Sequence, residues 1–246
     1  MDVMICHLTR MSPPLICTAG LNLGNLRHVR PFPTSGHVNA SHLHASGGIL
    51  RLGRVVRFVN AQPCGRPPEI EDTRATFRTA QNLGELPAPE FWSRISRVAH
   101  AGPTALTATL GPDLHRVGST FAVPIERGTA SLSLLRCPCA AITLKVREPT
   151  RFNKQPQARA VLAPGTLDDA PSGPADLPIT DIRFYGAAHD PADPQSIADA
   201  NILLHNSPEA ILAVGLSRAF SKGDGRPRHW LQVNGVFPSI DPLWNA

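Results

Sequence analysis

The stretch GLSRAFSKGDGRPRHWLQVNG, residues 215–235, sets Arg218, Lys222, Arg226 and Arg228 beside Phe220 and Trp230. Guanidinium and ammonium groups hold phosphate oxygens, and aromatic faces stack on bases, the two chemistries by which single strands are bound without reading their sequence. Near the N-terminus Arg27, Arg30 and Phe32 repeat the combination, and Arg54 and Arg57 extend it. The expected phosphate contacts are Arg27, Arg30, Arg54, Arg57, Lys222, Arg226 and Arg228, with Arg218 in the same set and Phe32 and Phe220 as stacking faces. Trp230, flanked by Leu231 and Val233, reads instead as core.

Other chemistries fit less well. A phosphate loop of the G-x-x-x-x-G-K-[ST] kind and a dinucleotide loop of the G-x-G-x-x-G kind both need a helix directly after the glycines, and neither pattern is present in the 215–235 stretch. A structural zinc site needs two close ligand pairs, whereas Cys137 and Cys139 stand as one pair, and His37, His42 and His44 with Cys6, His7 and Cys17 lack that spacing. No metal or other cofactor is expected. Glu69, Glu71 and Asp72, together with Asp168 and Asp169, supply carboxylates for a metal-dependent hydrolase, but they fall in Pro-rich segments expected to face solvent. No G-x-S-x-G nucleophile occurs, so a non-enzymatic role is expected.

The chain of 246 residues is long enough for one large or two small domains, and its 42% apolar content is that of a folded protein. Its net charge of +5 is concentrated at the start, where Arg10, Arg27, Arg30, Arg51, Arg54 and Arg57 face only Asp2 within the first sixty positions. A localised basic face attracts polyanions. Five cysteines without a small-scaffold spacing read as reduced thiols of a cytoplasmic protein. The opening MDVMICHLTR does not read as a secretory signal, and no run of about 18 apolar residues suggests a membrane span.

These groups must be positioned by short elements. Residues 3–8, 15–23 and 26–32 read as an antiparallel meander, 39–48 as one or two helical turns closed by Gly47 and Gly48, and 49–59 as a further strand that needs a bulge or turn at Gly53. PAPEFWSRISRVAHAG, 87–102, reads as a helix with Phe91, Trp92, Ile95, Val98 and Ala99 on one face. Strands are expected at 118–125, 130–135, 140–148, 179–186, 210–216 and 229–237, a polar linker or exposed loop at 154–178, and a second helix at 193–206 capped by Asp193 and Pro194. The 222–228 segment then reads as the turn of a hairpin. The fold class expected is mainly β, a β-rich α+β chain of two small barrels, residues 1–135 and 140–246, with one or two accessory helices.

ICTAGLNLGNLRHVRPFP at 16–33, with its Cys-x-Ala-Gly strand, and ITDIRFYG, ILAVGLSRAF and HWLQVNGVF between 179 and 237 resemble the ends of the bacterial dual OB-containing domain family. The resemblance implies two OB-like barrels, no catalytic residues, and a place beside a partner protein such as an ATPase in a multi-component system. Arg30-Pro31-Phe32 and Arg218-Ala219-Phe220 would then be equivalent Arg-x-Phe positions of a duplication. The function expected is binding of single-stranded nucleic acid or a nucleotide, with a protein-binding adaptor as the alternative.

Overall fold

The computed structural model describes residues 1–149, 154–168, 173–186, 189–222 and 224–246. Gly223 and Asp169 lie outside the described residues, as do parts of the 154–178 segment.

The first five strands are β1 (Asp2–Arg10), β2 (Ile16–Asn22), β3 (His28–Pro33), β4 (Arg54–Pro63) and β5 (Asp72–Glu85). They close a barrel in the order β1-β2-β3-β5-β4, with β3 parallel to β5 and the other pairs antiparallel. The meander was legible in the sequence because each strand is rich in apolar residues and ends at a turn. Gly20 of the Cys-x-Ala-Gly stretch is required where β2 crosses β1, since a Cβ there would stand 2.0 Å from the Met4 carbonyl oxygen. Gly53 turns the chain into β4 with φ of 77°, in the left-handed region open to glycine, at the position where the arginine parity called for a turn. Two short 3-10 turns, 40–42 and 44–46, occupy the expected helical stretch. The long strand β5 was not foreseen: its sequence DTRATFRTAQNLGE is polar, and its burial pattern shows only its first part covered.

Beyond the barrel follow α1 (Ala88–Ser96), β6 (His100–Ala101), α2 (Ala105–Leu110), β7 (His115–Val117), β8 (Thr120–Pro124), β9 (Leu132–Pro138), β10 (Ile142–Arg147), β11 (Gln157–Leu162) and β12 (Ala175–Pro178). The chain ends with α3 (Pro194–Asn206), β13 (Glu209–Leu216), β14 (Phe220–Ser221) and β15 (Pro227–Pro238). A second sheet runs β6-β9-β13-β15-β8-β7 with β14 on β15, and β10-β11-β12 form a third. The chain is thus mainly β; of the two small barrels expected, the first is closed, and the remaining strands form two open sheets among the described residues. Strands at 100–138 join β13 and β15, so sheet membership changes between Glu85 and His100, whereas the expected division lay near 135–140.

Two further expectations are corrected. The 154–178 segment contains β11 and β12, because QARAVL buries an apolar face between β10 and the rest of the fold despite its polar flanks. Residues 179–186 form a 3-10 turn at 182–184 rather than a strand, held by Asp181 accepting from the Arg183 backbone N–H. The α1 helix stops at Ser96 because residues 100–101 pair with β9.

Two cores result. One lies inside the second and third sheets, around Phe184, Leu212, Val233 and Trp244. The other joins the barrel to the second sheet: Val3, Ile5 and Phe58 share it with Phe91 and Ile95 of α1 and with Leu134, Ile211 and Phe237. Strand β1 is therefore covered on both faces, which explains its near-continuous apolar run.

The α3 cap is the one the sequence indicates. The Asp193 carboxylate accepts from Gln195 N at 3.0 Å and Ser196 N at 3.2 Å, and Pro194 opens the first turn. The Ser196 hydroxyl and the Gln195 amide hold this carboxyl below its ordinary value. Asp193→Ala is expected to cost about 1 kcal/mol at neutral pH, read as a fall of a few degrees in Tm. A lowered folded-state pKa stabilises above the ordinary carboxylate pKa, so the difference from the variant should shrink as pH falls through the lowered value.

Candidate functional site

A cleft of about 480 Å³ opens between the barrel and the second sheet. The barrel wall comes from β1, β2, β3 and the β1–β2 loop, and the other wall from Leu132, Leu216, Ser217, Arg218, Gln232 and Asn234. Alternation along the strands decides which barrel residues face it. His7 lies opposite Ala19 and Thr9 opposite Cys17 across β1 and β2, while His28, Arg30 and Phe32 share one face of β3. A shift of register between Ile5 and His7 is what turns His7 to this outer face.

The cleft brings the two Arg-x-Phe segments together, since Arg30, Phe32, Arg218 and Phe220 all line it. Its charged lining is Arg10, Arg30 and Arg218, with His7 and His37, and among the described residues no carboxylate lines it. Phe220 is 46% exposed at the rim, whereas Phe32 is half-buried. The barrel side contributes Arg10, Arg30 and Phe32, and the opposite side Arg218 and Phe220.

Carboxylates behind the wall fix the arginines. Asp72 accepts from Arg30 Nε at 2.5 Å and from Arg218 Nη2 at 2.7 Å. Glu69 lies 3.1 Å from Arg218 Nη1 and 3.7 Å from His229 Nδ1. Glu71 accepts from Ser131 N at 2.9 Å, Ser131 Oγ at 2.7 Å and Leu132 N at 3.0 Å. The expectation that these acids face solvent is overturned for Glu71 and Asp72, which are buried. Each carboxylate is engaged by a different set of donors, and among the described residues no three His, Cys, Asp or Glu side chains are grouped to hold a metal ion. Asp168 is likewise paired, with Arg116 at 2.9 Å.

The remaining expected contacts divide by place. Lys222, Arg226 and Arg228 sit on the hairpin that leads from Phe220, next to the cleft. Arg228 pairs with Asp224 at 2.7 Å, and Lys222 Nζ lies 3.9 Å from the Trp230 ring centroid. Burial, with the Arg159 charge, pushes the Lys222 ammonium down to about 8. Trp230 is buried and donates its indole N–H to the Phe220 carbonyl, so it serves the hairpin's core. Arg27 and Arg57 stand at the Asp2 end of the barrel, and Arg54 opens β4 level with Ile5 in the middle of β1. Arg57 pairs with Asp2 at the start of β1, roughly 25 Å of strand from the cleft residue Arg10. Arg54 is buried and holds Glu85 at 2.6 Å, which leaves it no face for a phosphate. Arg27, in the β2–β3 turn, is exposed.

The cleft also uses residues the sequence did not single out for this role, namely Arg10, His7, Thr9 and Asn234. A signal for two of them was present: His7 and Thr9 recur at period two within an apolar strand, the mark of a polar spot on one face. Burial and the neighbouring His28 and Arg30 charges push the His7 imidazolium well below its ordinary pKa, and burial with the His100 charge takes His28 down to about 4.

No protein-family model, curated protein or solved structure matches the chain. The five cysteines are free thiols, and burial pushes Cys137 up to about 12. Among the described residues no helix is long and apolar enough to cross a membrane.

Proposed function

We propose that the protein is a non-enzymatic binding module for a nucleotide or a segment of single-stranded nucleic acid, taken up in the cleft between the barrel and the second sheet. The observation that carries this reading is the lining itself: three arginines, two histidines and two phenylalanines, with no carboxylate among the described lining residues. Backbone-directed cations and stacking faces are the combination that single strands require.

An OB-like identity for the barrel is part of the proposal. The strand order with β3 parallel to β5 supports it, as does the position of the cleft on the β2–β3 face and the β1–β2 loop, where OB barrels take oligonucleotides. Arg218, at the mouth with its side chain 57% exposed, is the cation best placed to meet a phosphate, and Phe220 the face best placed to stack.

Fluorescence anisotropy of labelled single-stranded DNA and RNA, titrated over a salt series, tests this. Log affinity is expected to fall linearly with log salt at a slope of about 0.7 per phosphate contacted. Phe220→Ala and Arg218→Ala are each expected to weaken binding roughly tenfold, while Arg57→Ala, at the far end, leaves affinity unchanged. No saturable binding of any oligonucleotide or nucleotide at low salt would defeat the proposal and leave a protein-binding adaptor as the reading.

A further inference from the structure

We infer that the inner end of the cleft seats a phosphate monoester, the terminal phosphate of a nucleotide or of a strand end, against Arg30 Nη2 and His7 Nε2. The inference rests on the nucleotide or single-strand reading and names the group that is recognised.

Two buried donors without acceptors lead to it. Arg30 uses Nε on Asp72, and its Nη2 has no partner in the structure. The His7 tautomer follows from its neighbour. Asn234 Oδ1 accepts from Thr180 Oγ1 and from Gln232 Nε2, each at 3.0 Å, so Asn234 Nδ2 is the atom that faces His7 Nδ1 at 3.4 Å. The amide donates, His7 Nδ1 accepts, and the single proton of the neutral imidazole is on Nε2. That Nε2 also has no partner. Arg30 is 8% and His7 1% exposed, and both line the cleft. A buried N–H without an acceptor is destabilising; both atoms are closed to solvent, so an oxyanion at the inner end satisfies them by displacing the side chains that cover them.

The shape favours a terminal group over a phosphate within a passing strand. His7 of the barrel and Asn234 of the sheet touch, so the two walls meet at the inner end. A diester must extend a sugar on both sides, whereas a monoester needs room on one side only. Its oxygens can accept from the Arg30 guanidinium and the His7 imidazole together, as charge-assisted hydrogen bonds. Arg218, near the mouth, and Phe32 and Phe220 along the walls are then left for the remainder of the nucleotide.

Calorimetric titration of the full chain with AMP, adenosine and inorganic phosphate tests the group. Anisotropy with one oligothymidylate carrying a 5′-phosphate, a 3′-phosphate or neither distinguishes its sources. AMP is expected to bind at least tenfold tighter than adenosine, with inorganic phosphate competing. A strand-end ligand gives a similar tenfold gain for one phosphorylated oligonucleotide, and a free nucleotide gives the gain for AMP alone. His7→Phe keeps a ring in place but removes the donor, and is expected to shrink the ratio of affinities between the phosphorylated and unphosphorylated ligand, both measured on the same variant. Equal binding of AMP and adenosine, with no effect of end phosphorylation, overturns the inference and needs no variant to show it. If oligonucleotides still bind with a salt-dependent affinity in that case, the proposed function stands without the phosphate seat.

Discussion

Replacing Asp181 by alanine is expected to lower the stability of the folded chain by roughly 3–5 kcal/mol, the largest effect of any single substitution considered, because it strands a buried arginine. Asp181 is fully buried and Arg183 is 6% exposed. Their side chains meet at 2.7 Å, and the Asp181 carboxylate also accepts from the Arg183 and Val236 backbone amides at 3.1 and 3.3 Å. The guanidinium in turn donates to the Val236 and Trp244 carbonyls at 2.9 and 3.0 Å and lies between the Phe237 and Trp244 rings. Every side-chain nitrogen and oxygen of the pair has a hydrogen-bond partner, and the pair ties the 182–184 turn to the C-terminal strand. Without the carboxylate, a desolvated cation and two amides lose their acceptor. For a chain of this size the loss corresponds to a Tm lower by roughly 10 °C or more, measurable by calorimetry or as a shifted guanidinium midpoint. The paired replacement Asp181→Leu with Arg183→Met should recover much of it, since removing both charges leaves neither unpaired. A single Asp181→Ala variant that melts with the parent protein would show that the pair contributes little.

Glu71→Ala is expected to follow at roughly 3 kcal/mol, through loss of charge-assisted hydrogen bonds and exposure of unsatisfied donors. Glu71 sits in the segment entering β5, and its carboxylate reaches Ser131 and Leu132 at the start of β9, so it fastens the barrel to the second sheet. Alanine leaves two amides and a hydroxyl without acceptor at the joint. Glu71→Gln should cost less, about 1 kcal/mol, because one amide oxygen still accepts from both backbone N–H groups and the Ser131 hydroxyl can rotate to accept from the amide nitrogen. The ranking alanine below glutamine below parent in denaturant midpoint is the measurement. A glutamine variant as unstable as alanine would mean that the negative charge, not the hydrogen bonding, holds the joint. The Glu71 carbonyl also accepts from Arg30 N at 2.8 Å, and Asp72 follows directly in the chain. Loosening of this segment therefore reaches Arg30 and Arg218, and weaker oligonucleotide binding is expected to accompany the lost stability.

The relation between Asp72, Arg30 and Arg218 shows why charge counting along the chain misled. Six arginines against one acid in the first sixty positions describe a basic face only if no later residue neutralises them. Asp72 and Glu85 do so for Arg30, Arg51 and Arg54, while the one early acid, Asp2, pairs with Arg57. These pairs join residues far apart in sequence, and ion pairing is set by distance in space, which linear order does not contain. The useful signal was local: an arginine two positions before a phenylalanine on a strand puts both on one face, and that held for Arg30 and Phe32.

By itself the sequence determined the local elements whose cause is local. Alternating or continuous apolar runs specified β1 to β4, β13 and β15, the Asp193–Pro194 cap specified α3, and Gly53 specified the turn before β4. Only the tertiary structure decided what depends on contacts between distant segments. Polar β5 became a strand because it closes the barrel between β3 and β4, and β11 because it pairs with β10 and β12. The second sheet recruited residues 100–138 because β9 hydrogen-bonds to β13. The same contacts made the cleft, by laying Leu216, Arg218 and Asn234 over the outer face of β1–β3. Backbone pairing and burial are satisfied between strands rather than within them, so a sequence that marks a strand does not by itself say which neighbour completes it.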